Sequence, residues 1–457
     1  MNLERFIEAL GPVAVIRGAP VDVLDLAYDT RTVAPGTLFF CVRGASADGH
    51  AFAPAAAAAG AVALVVDHPL EVELPQLVVA DVRATMAPAA TLFYGDPTRE
   101  LEVAAITGTN GKTTTAFLLH AILDAGGRTP GLLSNIERRV GGASLPTGLN
   151  TPEAIDLQRL FRQMLDAGDR TCVMEATSIA QVQGRLAGTR FAVLVFTNLT
   201  QDHLDFHGTM EAYFEAKRRL FDQATRAVLN VGDEYGRRLA AELPDAVGFD
   251  ANSTAIDGID LKLRGRFNRE NAIGAALAAQ ALGVDAAAIR RGLESVDCVP
   301  GRFEALDEGQ DFTVIVDYAH TPDSLENVLG TARGLAEGRL IAVFGAGGDR
   351  DRAKRPLMGR VVAELADAAI LTSDNPRSED PAAIALDVVG ATSKGVIKIE
   401  LDRRSAIAHA IREARAGDVV VIAGRGAEPM QELGGGKIPF DDREVTRELL
   451  RALVAKP

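Results

Sequence analysis

The sequence predicts an α/β protein of three domains, and three observations carry that expectation. A chain of 457 residues is too long for a single core and long enough for two or three. Short runs of apolar, β-branched residues recur along it between helix-forming stretches, the pattern of parallel strands buried on both faces. Two breaks punctuate the pattern, the Gly and Pro of "YGDPTRE" and the Pro-Gly of "CVPGRFEAL". They set the expected domains at 1–97, 98–299 and 300–457, with no fixed-period repeat and no low-complexity tail.

In the first domain the expected strands are "TLFFCV", "AVALVV" and "PQLVVA", alternating with Ala-rich helices. In the second they are "VAAIT", "TCVMEA", "FAVLVFTN" and "RAVLNV". In the third, "TVIVDY", "LIAVFG", "AAILTS" and "VVVIAG" alternate with helices such as "RSAIAHAIREARAGD". Each strand of the third domain runs into a polar cluster: "DYAHTPD", "GAGGDRDR", "SDNPR" and "GRGAE". Ligands of open α/β sheets bind beyond the carboxyl ends of the strands, so four such ends imply one shared site. Ordinary turns account for Gly and Asp there, but poorly for the recurrence of Arg350, Arg352, Arg377 and Arg425.

Charge and cysteine usage narrow the class. Lys and Arg total 48 against 62 Asp and Glu, a net charge of −14. So acidic a chain is a poor partner for nucleic acid or an anionic membrane, and any anionic substrate must be held by local basic groups and amides. Cys41, Cys172 and Cys298 are scattered, which argues for a reducing compartment with neither disulfides nor a zinc cluster. The amino terminus has no signal-type h-region, and the longest apolar stretch is too short to span a bilayer. A cytoplasmic monomer is expected, with no nucleic-acid partner and no membrane insertion.

The most telling stretch is "AAITGTNGKTTTAF", residues 104–117. A phosphate loop of the form G-x-x-x-x-G-K-[ST] would place Gly at position 106, which is Ile106; the loop has lost two residues. It still joins a short buried strand to a helix that ends in Gly, and "GTNG" turns backbone amides toward an anion at the helix start. Gly108, Thr109, Asn110, Gly111, Lys112, Thr113 and Thr114 are therefore the expected ATP segment. Lys112 reaches the β- and γ-phosphates, and the Thr113 hydroxyl takes Mg²⁺. The bland alternative is a Gly-rich βα turn, which leaves Lys-Thr-Thr unexplained.

The shortened loop resembles that of the Mur ligases and their folylpolyglutamate synthase cousins. "DTRTVAPGTLFFCVRG", "MEATS", "FTNLTQDHLDFHGTMEAYFEAKRRLF", "GRFNREN", "VDYAHTPDSLENVL", "GGDRDRAKRPLMG" and "DNPRSEDP" resemble the same family, more narrowly its MurE branch. They cover nearly the whole chain in order. The resemblance implies a uridine-nucleotide-binding domain, a P-loop ATPase-like parallel-sheet domain and a Rossmann-like domain. It also implies ATP-dependent, ADP-forming amide synthesis on UDP-MurNAc-dipeptide. A carboxylate does not react with an amine at neutral pH; it first takes the γ-phosphoryl group, and the amine then displaces phosphate. Anionic groups must converge, so cations and metal are needed.

By that resemblance Thr113 meets one Mg²⁺, and Glu175, His203 and a carbamylated Lys217 meet a second. Alone, Glu175 reads as a strand-end carboxylate, His203 as a loop histidine, and Lys217 as part of a solvated basic helix face. Asn271 is implied at the adenine, Arg302 at the phosphates, Asp317 at the ribose, and His320 in the same positive field. Asp29, Thr30 and Arg31 are implied at the uridine diphosphate end, and Thr151, Thr177, Gln183 and Arg185 at the muramyl-peptide portion. "SDNPR" and its neighbours point to the added amino acid. Asp374, Asn375, Pro376 and Arg377, with Arg350, Gly424 and Glu428, suit an acceptor bearing a distal carboxylate and a distal ammonium group, as meso-diaminopimelate does. In the family D-N-P-R goes with diaminopimelate enzymes.

Three departures are visible. Ile179 and Ala427 stand where the family usually has histidine, and "SNIERRVGG" replaces a small, Gly-rich pattern. Three readings stay open at this point: a ligase of the MurE type, a paralogous ligase using another amine such as L-lysine, and a non-catalytic ATP-binding relative. The retained Lys112, Glu175, His203, Lys217 and Asp317 argue against the last.

Overall fold

In the computed structural model, which describes residues 1–44, 47–390 and 396–455, the apolar runs are strands with two buried faces. Successive side chains of a strand point to opposite sides. Leu38 and Phe40 accordingly enter one core with Phe6, Val65 and Met86, while Phe39 and Cys41 enter another with Ala53, Leu64 and Val66. The α/β class expected from the sequence is the class observed.

The chain forms two compact units. The first comprises Met1–Ala105, Arg128–Leu194 and Ala216–Arg226. Its five-stranded sheet has the order Ala14–Ile16, Gln76–Val78, Ala61–Val66, Thr37–Phe40, Asp25–Ala27. Only the Ala14–Ile16 pairing is antiparallel. Helices Leu3–Leu10, Val82–Tyr94 and Ala154–Ala167 cover one face through Phe6, Met86 and Ile155. His50 is a latch here: its Nδ1 lies 2.6 Å from Asp48, and its Nε2 accepts from the Asp67 amide at 3.2 Å. In the same unit Thr171–Glu175 runs parallel to Pro130–Leu133. A hairpin follows, Arg138–Val140 against Ala143–Leu145, and its turn, Gly141-Gly142, has φ of 56° and 78°. Two consecutive left-handed residues are what a tight two-residue hairpin turn demands, hence the glycine pair.

The second unit comprises Ile106–Gly127, Val195–Glu215 and Ala227–Pro457. Its six-stranded sheet has the order Glu304–Leu306, Thr313–Asp317, Val419–Ala423, Leu340–Phe344, Ala368–Leu371, Ile397–Ile399. The first pair is antiparallel and the rest parallel. Helices Pro322–Arg333, Lys354–Leu365 and Pro381–Val389 supply Val328, Met358 and Val388 to one face. Arg403–Glu413 and Asp442–Val454 supply Ile407 and Leu450 to the other. Side-chain caps start these helices where strands end: Thr321 and Ser324 form a capping box, and Asp402 accepts from the Ser405 amide. Because four strands run parallel and side by side, their carboxyl ends, and the four polar clusters after them, lie together.

Candidate active site

In the second unit the helix Lys112–Ala125 begins at Gly111. Gly108 and Gly111 have φ of 147° and 86°. A Cβ on Gly108 would lie 1.9 Å from Thr197 Oγ1, and one on Gly111 would lie 2.3 Å from Asn271 Oδ1. Thr197 cannot easily yield, because its hydroxyl is engaged by the Thr107 and Asn110 carbonyls at 3.2 and 2.6 Å. The rest of the loop is pinned as well. Asn110 donates to Asp323 at 2.7 Å, and the Thr109 and Tyr213 hydroxyls meet at 3.2 Å. Lys112 Nζ folds back onto the Gly108 and Thr109 carbonyls at 3.0 and 2.8 Å. Gly108→Ala is expected to lower ATP-dependent turnover at least about tenfold, since a β-carbon there meets a hydroxyl held in place and forces a left-handed φ on a chiral residue. Steady-state kinetics against ATP, beside a melting curve, would check it.

Around this loop the sequence candidates gather. Arg302 Nη2 donates to Thr113 Oγ1 at 2.9 Å, and its guanidinium stacks 4.3 Å over the Tyr318 ring. Asn271 accepts from Thr115 at 3.3 Å. Asp317 accepts from the Phe303 and Ala319 amides, both at 2.6 Å. Burial pushes its carboxyl up, although Arg302 and those two amides pull the other way. His320 Nδ1 lies 2.8 Å from the Tyr318 carbonyl.

The carboxylate that gathers His203, His320 and Lys354 was not singled out in the sequence. Asp202, only 5% exposed, accepts from Lys354 Nζ at 3.1 Å, and the His203 and His320 Nε2 atoms lie 3.4 and 3.8 Å from its other oxygen. Burial works against its charge, yet Lys354 and the two histidines hold its carboxyl well below the usual carboxylate range. Asp202 adjoins His203 in "QDHLDFH" and Lys354 lies in "RDRAKRPLMG", so both stood inside quoted motifs; their meeting across 152 positions is a tertiary fact.

The four strand-end clusters converge as expected. Glu428 accepts from Tyr318 at 2.8 Å and from Asn375 at 3.1 Å. Arg377 donates to the Gly348 carbonyl at 2.7 Å and pairs with Glu432 at 3.0 Å. Asp374 Oδ2 is buried without a hydrogen-bond partner in the structure, beside Gly424, where a Cβ would lie 2.5 Å from it. Pro376 precedes Arg377 in this turn, and Arg350 donates to the Asp349 carbonyl at 3.0 Å. The four arginines divide in character. Arg425 is fully buried and works as a strut, donating to Asn375 Oδ1 at 2.6 Å and to the Met430 carbonyl at 2.7 Å. Arg352, largely exposed, reaches Glu379 at 2.5 Å. Left-handed backbone recurs at His203, Phe303, Asp349 and Arg377, with φ of 55°, 47°, 51° and 52°. Each costs on the order of 1 kcal/mol or more in a non-glycine residue, and such strain gathers at functional sites.

The first unit holds two further groups. Thr151 Oγ1 donates to the Glu175 carbonyl at 2.8 Å, lies 3.1 Å from Thr177 Oγ1 and accepts from the Thr177 amide at 3.1 Å. Arg185 donates to the Thr151 carbonyl at 3.1 Å and to Gln183 at 2.5 Å. Glu175, 1% exposed, accepts from the Asn135 amide at 3.0 Å. Ile179 sits on the short helix that Thr177 caps. Separately, Asp29 caps the Thr30–Thr32 turn, and its pair with the exposed Arg31 holds its carboxyl below the ordinary range. Next to it the Tyr28 hydroxyl donates to Asp156 at 2.6 Å. Lys217 is only 1% exposed, so the solvated-face reading suggested by its basic neighbours is corrected.

Family models match in three segments: Mur ligase family, catalytic domain, over residues 25–92; Mur ligase middle domain over 106–257; and Mur ligase, glutamate ligase domain, over 301–426. The chain is 44% identical to the UDP-N-acetylmuramoyl-L-alanyl-D-glutamate–2,6-diaminopimelate ligase of Geobacillus thermodenitrificans, over 99% of each chain. It is 45% identical to the Gloeobacter violaceus protein of the same name, over 94% of each. A solved structure of such a diaminopimelate ligase is similar over 99% of each chain, with 32% identity and a TM-score of 0.64. Identity at this level along the full length of both partners leaves one assignment: the chain belongs to the Mur ligase family.

Proposed function

We propose that this chain joins meso-diaminopimelate to UDP-N-acetylmuramoyl-L-alanyl-D-glutamate, converting ATP to ADP and phosphate through an acyl phosphate. The observation that carries the reading is the strand-end cluster, where the Arg377 fork and the Glu428 and Asp374 carboxylates stand together in a chain of this family. An acceptor with a carboxylate and an ammonium group at its distal end answers both charges. Lysine has no distal carboxylate and would leave an arginine without its ligand.

In this reading the proposed domains are 1–97 for the uridine-nucleotide end, 98–299 for ATP and 300–457 for the amino acid. Lys112 exchanges the two loop carbonyls it now meets for β- and γ-phosphate oxygens, and Arg302 adds a second cation. Asn271 faces the adenine, Asp317 the ribose, and His320 stands with Asp202 and Lys354 beside the reacting groups. Asp29, Thr30 and Arg31 hold the uridine diphosphate end; Thr151, Thr177, Gln183 and Arg185 hold the muramyl dipeptide. Thr113 is the proposed holder of one Mg²⁺, and Glu175, His203 and carbamylated Lys217 the proposed holders of a second, oxygen-rich donors that suit this ion. When bound, the metal would neutralise phosphate charge. No helix among the described residues is long and apolar enough to cross a membrane. The chain is proposed to act in the cytoplasm, as a monomer.

Phosphate release from ATP by the purified protein with UDP-MurNAc-L-Ala-D-Glu tests the reading, comparing meso-diaminopimelate, L-lysine, L-ornithine and no acceptor. Meso-diaminopimelate is expected to exceed lysine by at least about 100-fold in kcat/KM. A preference for lysine or ornithine would overturn the acceptor while leaving the ligase. Ile179 and Ala427 favour one second reading, a paralogous amine acceptor, and silence with all three amines in a protein that binds ATP would support it.

A further inference from the structure

The departure "SNIERRVGG" folds as the start of the hairpin in the first unit, and it carries two arginines of unlike situation. Arg139 is neutralised by Glu137, just before its strand, with Nε at 2.7 Å and Nη2 at 3.0 Å. Arg138, its neighbour in sequence, leaves the strand on the other side, as pleating requires. Its guanidinium donates to the Leu149 carbonyl at 3.0 Å, and Nη2 lies 3.1 Å from where a Cβ on Gly148 would stand. Among the described residues no carboxylate comes within ion-pair distance of it.

Asp156, on the helix Ala154–Ala167 packed beside this strand, is already committed. It accepts from the Tyr28 hydroxyl at 2.6 Å and from Arg159 Nη1 at 2.8 Å. Burial acts against the charge on Arg138, and Asp156 and Tyr28 offset it only in part. A half-buried guanidinium with one neutral acceptor is short of partners, and an anion from outside the protein would restore them.

Its place in the chain says which anion. On one side the strand of Arg138 packs against helix Ala154–Ala167, whose Asp156 accepts from Tyr28, and Tyr28 leads directly into Asp29, Thr30 and Arg31. On the other Arg138 rests on Gly148 and Leu149, two residues before Thr151. The first group is proposed above to hold the uridine end of the substrate and the second its muramyl-peptide end. In that substrate the diphosphate lies between the two. We propose that Arg138 binds the diphosphate of the uridine-nucleotide substrate, an inference that rests on the function proposed above.

Calorimetric titration of the whole protein with uridine, UMP and UDP tests it, in wild type, Arg138→Gln and Arg138→Lys. UDP should bind Arg138→Gln at least about tenfold more weakly, as one charge-assisted contact predicts. Uridine should bind unchanged, and Arg138→Lys should recover part of the loss because it keeps the charge. In turnover, KM for the uridine-nucleotide substrate should rise while KM for ATP and the melting temperature stay constant. Equal UDP affinity in wild type and Arg138→Gln overturns the assignment. So does a parallel loss for uridine and UDP, which would make Arg138 a strut of the loop. Failure of UDP to bind wild type at all would instead strike the proposed uridine-nucleotide site itself.

Discussion

Lys217→Ala is expected to lower turnover by about 1,000-fold or more while the protein stays folded, because a metal-holding anion contributes several kcal/mol to a transition state crowded with phosphate charge. The motive is a lysine only 1% exposed on a helix whose sequence reads as a solvated face. Carbamylation would turn that buried cation into an anion, and short-chain carboxylates added to Lys217→Ala should then restore part of the rate. Lys217→Arg should be as inactive as the alanine variant, since a guanidinium does not take up CO₂ under these conditions. Near-normal turnover in Lys217→Ala would remove the carbamate from the mechanism. A silent variant that no carboxylate revives, with unchanged melting behaviour, would leave Lys217 essential and the carbamate unsupported.

The second large effect is at the phosphate loop. Lys112→Ala should cost about 100- to 1,000-fold in ATP-dependent phosphate release, the usual loss when one preorganised cation or donor is removed from developing phosphate charge. In the structure the ammonium contacts the Gly108 and Thr109 carbonyls of its own loop. The loop is also held by Asn110 to Asp323 and by Thr109 to Tyr213, so the variant should keep its fold. A melting temperature close to wild type beside lost phosphate release is the expected pair of results. Unchanged release would mean that ATP binds elsewhere.

Much of this molecule is legible locally. The strand Glu102–Thr107, the glycine turn and the helix Lys112–Ala125 could be read because they are contiguous in sequence. The strand runs could be read because parallel strands buried on both faces leave an unbroken apolar signature, as Leu38–Cys41 does with its two cores. The convergence of "DYAHTPD", "GAGGDRDR", "SDNPR" and "GRGAE" followed from one topological rule about strand ends.

Tertiary structure decided what rests on distant partners. Arg377 and Arg425 carry the same side chain beyond the carboxyl ends of two strands of one sheet. Packing makes Arg425 a fully buried strut and leaves Arg377 at the partly exposed rim. Lys217 is buried although its own helix is polar, because burial depends on what is packed against a helix as well as on its periodicity. Asp202 acquires its place only where Lys354 arrives 152 residues later in the chain. Sequence alone determined the elements and the chemistry of each loop, since those depend on short-range sterics and side-chain type. Which of several identical side chains is solvated, paired or left facing a ligand is set by long-range packing, and no local pattern encodes it.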